Sequence, residues 1–177
     1  MQNRFRQLTK IVLAILLASL VLMGFLYLNN AIGIRPSQLE ADIRQSQKIA
    51  SDWTVEGDVS DTLAAFISYP CDRDKHTISL YVNRRGLSFG YFFRAGGSLS
   101  EVANGIAAYT IEGYTEQAFI SMNQPGVNLL EIDDGSAIQV IDIDSSKPFA
   151  LVLPVQSGNV TFYDTAGNQV AFWNHPL

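Results

Sequence analysis

The chain has 177 residues, of which 47% are hydrophobic and 16% are charged, and this length suits one packed domain rather than several. Its 12 basic and 17 acidic residues give a formal charge of −5, which argues against nucleic acid as a partner. The mean hydropathy is nevertheless positive, +0.12, because the apolar residues are concentrated near the N-terminus.

Residues 11–28 form an apolar run of 18 residues without a charge. As a helix, this run extends about 27 Å, close to the hydrocarbon thickness of a bilayer. Arg4, Arg6 and Lys10 precede the run and no acidic residue does, so the positive-inside rule places residues 1–10 in the cytoplasm as a tail. The sequence therefore predicts a single-pass signal-anchor in the cell membrane. Residues 11–28 contact the lipid bilayer, and the C-terminal part lies outside the cytoplasm.

A cleaved signal peptide is the alternative interpretation of the same run. Ala31 and Gly33 form a small-x-small pattern that suits signal peptidase, and cleavage near Gly33 would release a secreted domain. We favour the anchor because the run is longer than the usual apolar region of a signal peptide, about 7–15 residues.

The part of the chain beyond the apolar run is strongly acidic. It holds nine basic and all 17 acidic residues, a net charge of −8, so anionic lipid is expected to repel it. Its single cysteine, Cys71, excludes an internal disulfide and is interpreted as a small apolar residue at a strand end.

Residues 29–52 are predicted to form a linker and an amphipathic helix. Residues 29–36 contain a glycine and a proline and suit a short spacer. Ser37 and Glu40 have the spacing of a capping box, which predicts a helix over residues 38–52. We expect this helix to pack in part against the following domain, because Trp53 at its end needs burial.

Residues 53–177 are predicted to form an extracytoplasmic β-rich domain. The clearest feature is a hairpin, with strands at 77–83 and 87–94 and a turn at 83–86. A second capping box, Ser98 and Glu101, predicts a short helix over 99–104 that ends at Gly105. Further strands are expected at 62–69, 106–112, 115–122, 126–132, 136–144, 149–155, 159–163 and 168–173.

The apolar parity changes between Val140 and Ile141, which predicts a β-bulge or a strand that passes between environments. The whole pattern predicts a mainly β fold. It comprises one N-terminal transmembrane helix, a short linker helix, an antiparallel β-sandwich or meander-type domain, and at most one further short helix.

Asp72, Asp74 and His76 form the most concentrated group of potential metal ligands. In an extended chain their two-residue spacing places two carboxylates and an imidazole on one side, and these groups bind divalent cations. The alternative is a solvated loop between two strands. The acidic residues elsewhere, Glu131, Asp133, Asp134, Asp142 and Asp144, are interpreted as turn and edge charges.

A cluster of aromatic and arginine side chains in the predicted hairpin suits either a core or a protein interface. Its candidate partner-binding residues are Phe92, Arg94, Arg84 and Arg85. No catalytic residue and no cofactor is predicted, because the sequence has neither a nucleophile motif nor a cofactor-binding motif.

The sequence is therefore interpreted as a membrane-anchored, non-enzymatic binding or scaffolding module with a protein partner at the extracytoplasmic face. One alternative is an anchored hydrolase or metal-dependent enzyme that uses Asp72, Asp74 and His76. Another is a pilin-like subunit, which a continuous helix from residue 11 to residue 50 would favour. Gly33 and Pro36 argue against that continuous helix.

Overall fold

The computed structural model describes residues 2–29, 31–84 and 88–177, with side chains from residue 6 onward. The chain begins with a long α-helix, α1 (Gln2–Leu28). One segment of it, Arg6–Leu28, is long and apolar enough to cross a membrane, and its most apolar 18 residues have a mean hydropathy of 2.8 and are not buried. The predicted apolar N-terminal helix is confirmed, and both membrane anchors and signal sequences have such a helix.

A 3-10 turn (Pro36–Gln38) leads into a second helix, α2 (Leu39–Ser46). Leu39 and Ile43 of α2 are fully buried in one cluster with Phe66 and Tyr81 of the domain. The Tyr81 hydroxyl also donates a hydrogen bond of 2.7 Å to Asp42 Oδ2. The expected partial packing of this helix is therefore confirmed.

The predicted bounds of α2, residues 38–52, are wrong. The helix ends at Ser46, and Ser37 forms no side-chain cap because it lies inside the 3-10 turn. The Leu39 N–H bonds to the carbonyl of Pro36 instead. Because α1 ends at Leu28, the continuous helix that would favour a pilin is absent from the described residues.

The described residues from 54 onward contain twelve strands and one short helix, α3. The elements are, in chain order, β1 (Thr54–Val59), β2 (Leu63–Tyr69), β3 (Thr77–Asn83), β4 (Tyr91–Gly97), α3 (Ser100–Asn104), β5 (Ile106–Thr110), β6 (Glu116–Ser121), β7 (Val127–Asp133), β8 (Ile138–Asp142), β9 (Phe149–Pro154), β10 (Asn159–Asp164), β11 (Gln169–Val170) and β12 (Phe172–Pro176). They form three sheets: sheet 1 in the order β1-β2-β3-β4, sheet 2 in the order β12-β5-β6-β9, and sheet 3 in the order β11-β10-β7-β8.

Sheet 2 contributes side chains to two separate hydrophobic clusters. Because successive residues of a strand point to opposite faces, Ile120 packs with residues of sheet 1, whereas Phe119 packs with residues of sheet 3. Ala107 and Ala108 of β5 divide in the same way. Both faces of sheet 2 are therefore buried, which explains the consecutive apolar residues 106–109 of β5 and 118–120 of β6.

The segment between α1 and α2 is bonded to the edge of sheet 1 rather than free as a spacer. Residues 31–34 form two isolated bridges, Ile32 with Phe89 and Ile34 with Tyr91. The Ala31 N–H donates to the Leu26 carbonyl (2.9 Å), and the Ala31 carbonyl accepts from the Phe89 N–H (2.8 Å). The Gly33 N–H donates to the Phe89 carbonyl (2.6 Å). Ile34 and Tyr91 each donate an N–H to the other's carbonyl at 2.8 Å. The chain leaving α1 is therefore joined directly to the segment that enters β4.

Several strand predictions are wrong in detail. The single strand predicted at 168–173 is two strands, β11 in sheet 3 and β12 in sheet 2. β12 also pairs with β5 in parallel, whereas an antiparallel domain is predicted. Of the two alternatives predicted at Val140, the bulge is wrong, because the register of β7 and β8 is continuous. The change of environment is present: Ile138 and Val140 are exposed, whereas Ile141 packs against the cluster between sheets 2 and 3.

The predicted hairpin pairing of β3 with β4 is confirmed, although β4 begins at Tyr91. The predicted strand start at 87 and residues 85 and 86 of the predicted turn at 83–86 lie outside the described residues. The second capping box is wrong, because α3 has no side-chain cap, but Gly105 does end that helix.

Candidate functional site

Three of the predicted partner-binding residues line one groove of about 490 Å³ between the β3–β4 hairpin and the connection from β5 to β6. The groove is lined by Val82, Arg84, Phe92, Phe93, Arg94, Ile111, Glu112, Tyr114 and Leu177. We call these residues the β4 groove. The fourth predicted residue, Arg85, lies outside the described residues.

A β-bulge places Arg94 in the β4 groove. Leu80 of β3 pairs with Ala95 and Tyr81 pairs with Phe93, so Arg94 is the extra residue without a partner on β3. Bulges turn side chains out of the regular alternation and are common next to binding sites. Phe93 can therefore pack edge-on against Tyr81, with ring centroids 5.6 Å apart, while Arg94 also borders the groove.

Arg84 and Phe92 form the aromatic wall of the β4 groove. The guanidinium carbon of Arg84 lies 4.1 Å from the centroid of the Phe92 ring, within the range of a cation–π contact. Phe92 is half-buried, and it belongs to the strand face that also carries Val82 of the core. The contact with Phe92 restrains the guanidinium of Arg84, and the residue remains exposed to solvent.

The electrostatics of the β4 groove differ from those of the domain. Arg84 and Arg94 are exposed, and neither forms an ion pair with any described residue. Glu112 is the one carboxylate side chain among the groove's described lining residues. Two guanidinium groups without an ion pair, beside aromatic surface in a domain of net charge −8, suit an anionic group of a ligand.

Sequence reasoning missed the opposite wall of the groove. Ile111, Glu112 and Tyr114 come from the connection between β5 and β6, and no local pattern links that connection to the hairpin. Only the packing of sheet 1 on sheet 2 brings the two walls together.

The predicted metal ligands do not assemble into a metal-binding group. Asp72 Oδ1 accepts a hydrogen bond from the Asp74 N–H at 3.4 Å, and Asp74 contacts Lys75 at 3.7 Å. His76 is buried and turns toward α3. Among the described residues, no three His, Cys, Asp or Glu side chains lie together in a way that could hold a metal ion.

His76 borders a second pocket of about 440 Å³, which Trp53, Asp74, Ser98 and Leu99 also line. The Leu99 N–H donates to His76 Nε2 at 3.2 Å, and Ser98 Oγ lies 3.3 Å from the same nitrogen. The ring lone pair is thus engaged by the backbone at the start of α3, which satisfies one of the free N–H groups of that helix. Ser98 does not cap the helix, because the N-cap position of α3 is Leu99.

Lowering the pH is expected to destabilise the fold through His76. Burial lowers the pKa of His76 below its ordinary value of 6.5. The unfolded chain therefore binds the proton first, so the stabilisation is complete above pH 6.5 and is lost as the pH falls from there toward the folded-state pKa. Urea unfolding of the wild type and His76→Gln across this range should show a smaller pH slope for the variant. Equal slopes would contradict this role.

The remaining polar residues of interest have structural surroundings. Asp134 accepts hydrogen bonds from the N–H groups of Ser136 and Ala137, and Asp144 accepts one from Ser146, so both carboxylates stabilise turns. The hydroxyl groups of Ser136 and Ser146 also donate to these carboxylates, and the hydroxyl bonds first and the N–H bonds second lower the pKa of both groups. Cys71 follows the end of β2, as predicted, but it is exposed, so it does not fill apolar space there.

Comparison of the chain with protein-family models, with curated proteins and with solved structures finds no match.

Proposed function

We propose that this chain is a single-pass membrane protein whose extracytoplasmic β-sandwich binds a protein partner without catalysing a reaction. The anchor is supported by the exposed apolar helix Arg6–Leu28 and by the basic residues that precede its apolar run. The sandwich is supported by the cluster that sheets 1 and 2 share.

Retention of α1, rather than cleavage near Gly33, is supported by the bonds of residues 31–34. Cleavage there would remove Ala31, whose carbonyl accepts the Phe89 N–H, and would free the Gly33 N–H from Phe89 O. The edge of sheet 1 would then lose backbone hydrogen bonds that the full chain makes.

The observation that carries the binding proposal is the stacked Arg84 and Phe92 beside the bulged Arg94. Arginine and aromatic side chains contribute much of the binding energy at protein interfaces. Because Phe92 holds Arg84 in position, less side-chain freedom is lost on binding. The complementary surface carries a carboxylate next to an apolar or aromatic side chain, so that the carboxylate pairs with the guanidinium groups.

Removing either guanidinium is expected to weaken partner binding by about tenfold or more, the usual effect of an interface hot spot. The full-length protein is purified in mild detergent from its own membranes, and the co-purifying protein is identified. Its affinity is then measured for the wild type, Arg84→Ala, Arg94→Ala and Phe92→Ala. Lys147→Ala is the matched control, because it removes an exposed cation from a different loop.

The melting temperature of each variant separates binding from folding. Lost affinity with an unchanged melting temperature supports the proposal. If Phe92→Ala unfolds the domain while both arginine variants bind normally, the aromatic cluster is core material and the binding proposal is wrong. Lost affinity in Lys147→Ala as well would indicate general electrostatic attraction rather than a site.

A further inference from the structure

Two large apolar side chains are exposed where α1 meets the β-domain. Ile32 is 52% exposed and Phe89 is 59% exposed, and the two residues form a backbone bridge. Their neighbours Ala31 and Tyr91 are buried. The segments are thus packed, and the exposure belongs to these two side chains, which we call the exit patch.

The exit patch lies beside the last turn of the apolar helix. The Ala31 N–H donates to the Leu26 carbonyl at 2.9 Å, and the Ala31 carbonyl accepts from the Phe89 N–H at 2.8 Å. Two hydrogen bonds therefore connect Leu26 to the backbone of Phe89, and Ile32 follows Ala31 directly. The layer in which hydrocarbon gives way to headgroups is about 5–8 Å thick on each side of a bilayer. A patch this close to the helix end lies at that layer.

We propose that Ile32 and Phe89 insert into the boundary between headgroups and acyl chains of the same bilayer that α1 crosses. The inference rests on the membrane anchor proposed above. An aliphatic and an aromatic side chain at this depth leave water for an apolar environment, and the aromatic ring suits the interfacial region. The exit patch then gives the chain a second contact with the membrane besides α1, and the β-domain stands on the membrane surface in one orientation.

The charges of the chain fit a small apolar contact rather than a broad electrostatic one. The net charge of −8 beyond the anchor opposes close approach of the whole domain to anionic lipid. Beside the exit patch, however, Arg35 is exposed and follows Ile34, which is bonded to Tyr91. At the depth of the lipid headgroups, the Arg35 guanidinium can donate hydrogen bonds to the phosphate group, which zwitterionic and anionic lipids both carry.

Single spin labels report the depth of each position in the full-length chain. Cys71→Ser removes the exposed native thiol. Ile32→Cys and Phe89→Cys place labels in the exit patch, Leu17→Cys places one within α1, and Ile138→Cys is the matched control because Ile138 is an exposed apolar residue of sheet 3. Each labelled chain is reconstituted into phosphatidylcholine vesicles. Its collision rates with oxygen and with a water-soluble nickel chelate are then compared.

We expect the labels at 32 and 89 to collide several-fold more with oxygen, relative to the chelate, than the label at 138, and less than the label at 17. Labels at 32 and 89 that match the label at 138, while the label at 17 is deep, would overturn the inference and leave the anchor intact. An aqueous label at 17 would instead overturn the anchor. Spectral broadening between labels of two chains at 32 or 89 would show that a second copy covers the patch, which also overturns the inference. Because both positions are exposed and lie on separate segments, either label tests the inference if the other variant misfolds.

Discussion

Replacing Phe119 by alanine is expected to lower the free energy of unfolding by about 3–5 kcal/mol, the usual cost of truncating a fully buried phenylalanine. Phe119 of sheet 2 is fully buried, and its ring lies 5.2 Å from the ring of Phe162 and 5.2 Å from that of Phe172. Phe162 belongs to sheet 3, so the truncation opens a cavity between two sheets. Urea unfolding of the full-length protein in detergent, followed by tryptophan fluorescence, measures the loss.

Ile138→Ala is the matched control for that variant. Ile138 lies in sheet 3 but is 63% exposed, so its truncation should change the free energy of unfolding by about 0.5 kcal/mol or less. A similar loss in both variants would contradict the assignment of Phe119 to the cluster that joins sheets 2 and 3.

Replacing Gly90 by alanine is expected to release residues 31–34 from the edge of sheet 1. Gly90 has a φ of +92°, and a Cβ at this position would lie 2.6 Å from the Ile34 carbonyl oxygen. Because the contact is with backbone, no side-chain rotation relieves it. The strain of a positive φ at alanine and the displacement of the backbone should together lower the free energy of unfolding by about 1–3 kcal/mol. Hydrogen exchange should show faster exchange of the Gly33 and Ile34 amides, which donate to Phe89 O and Tyr91 O.

Gly113→Ala separates strain from close approach. Gly113 has a φ of +82°, similar to that of Gly90, but nothing lies within 4 Å of the point that an added Cβ would occupy. This variant should show the cost of the positive φ alone and leave the Gly33 and Ile34 amides protected. Protected amides in Gly90→Ala would show that residues 31–34 tolerate the added methyl group, contrary to the prediction.

Local patterns were sufficient for most strands of this fold. The strict alternation of Thr77–Asn83 marks β3 from end to end, and the turn residues separate β5 from β6 and β7 from β8. Local patterns were insufficient where tertiary packing determines with which strand a segment pairs. The predicted strand at 168–173 divides because Gln169–Val170 pairs with β10 whereas Phe172–Pro176 pairs with β5.

The capping boxes failed for a related reason. A serine with a glutamate three residues later permits a cap, but competing contacts decide whether it forms. Ser37 lies in the 3-10 turn that Pro36 begins, and Ser98 lies beside His76. Neither competitor is visible in the spacing alone.

The sequence predicted one wall of the β4 groove and missed the other. Arg84, Phe92 and Arg94 are close in sequence, so a hairpin brings them together. Glu112 and Tyr114 reach the same groove only through the packing of two sheets, which one sequence does not specify.

The bonds of residues 31–34 also bear on the solubility of the chain. An unpaired strand edge is a template onto which another chain can add a strand, and such edges lead to aggregation. Here the chain's own residues 31–34 bond to residues 89–91 at the entry to β4. A fragment that begins after Gly33 would expose part of that edge. The segment that follows α1 therefore protects the folded domain from self-association.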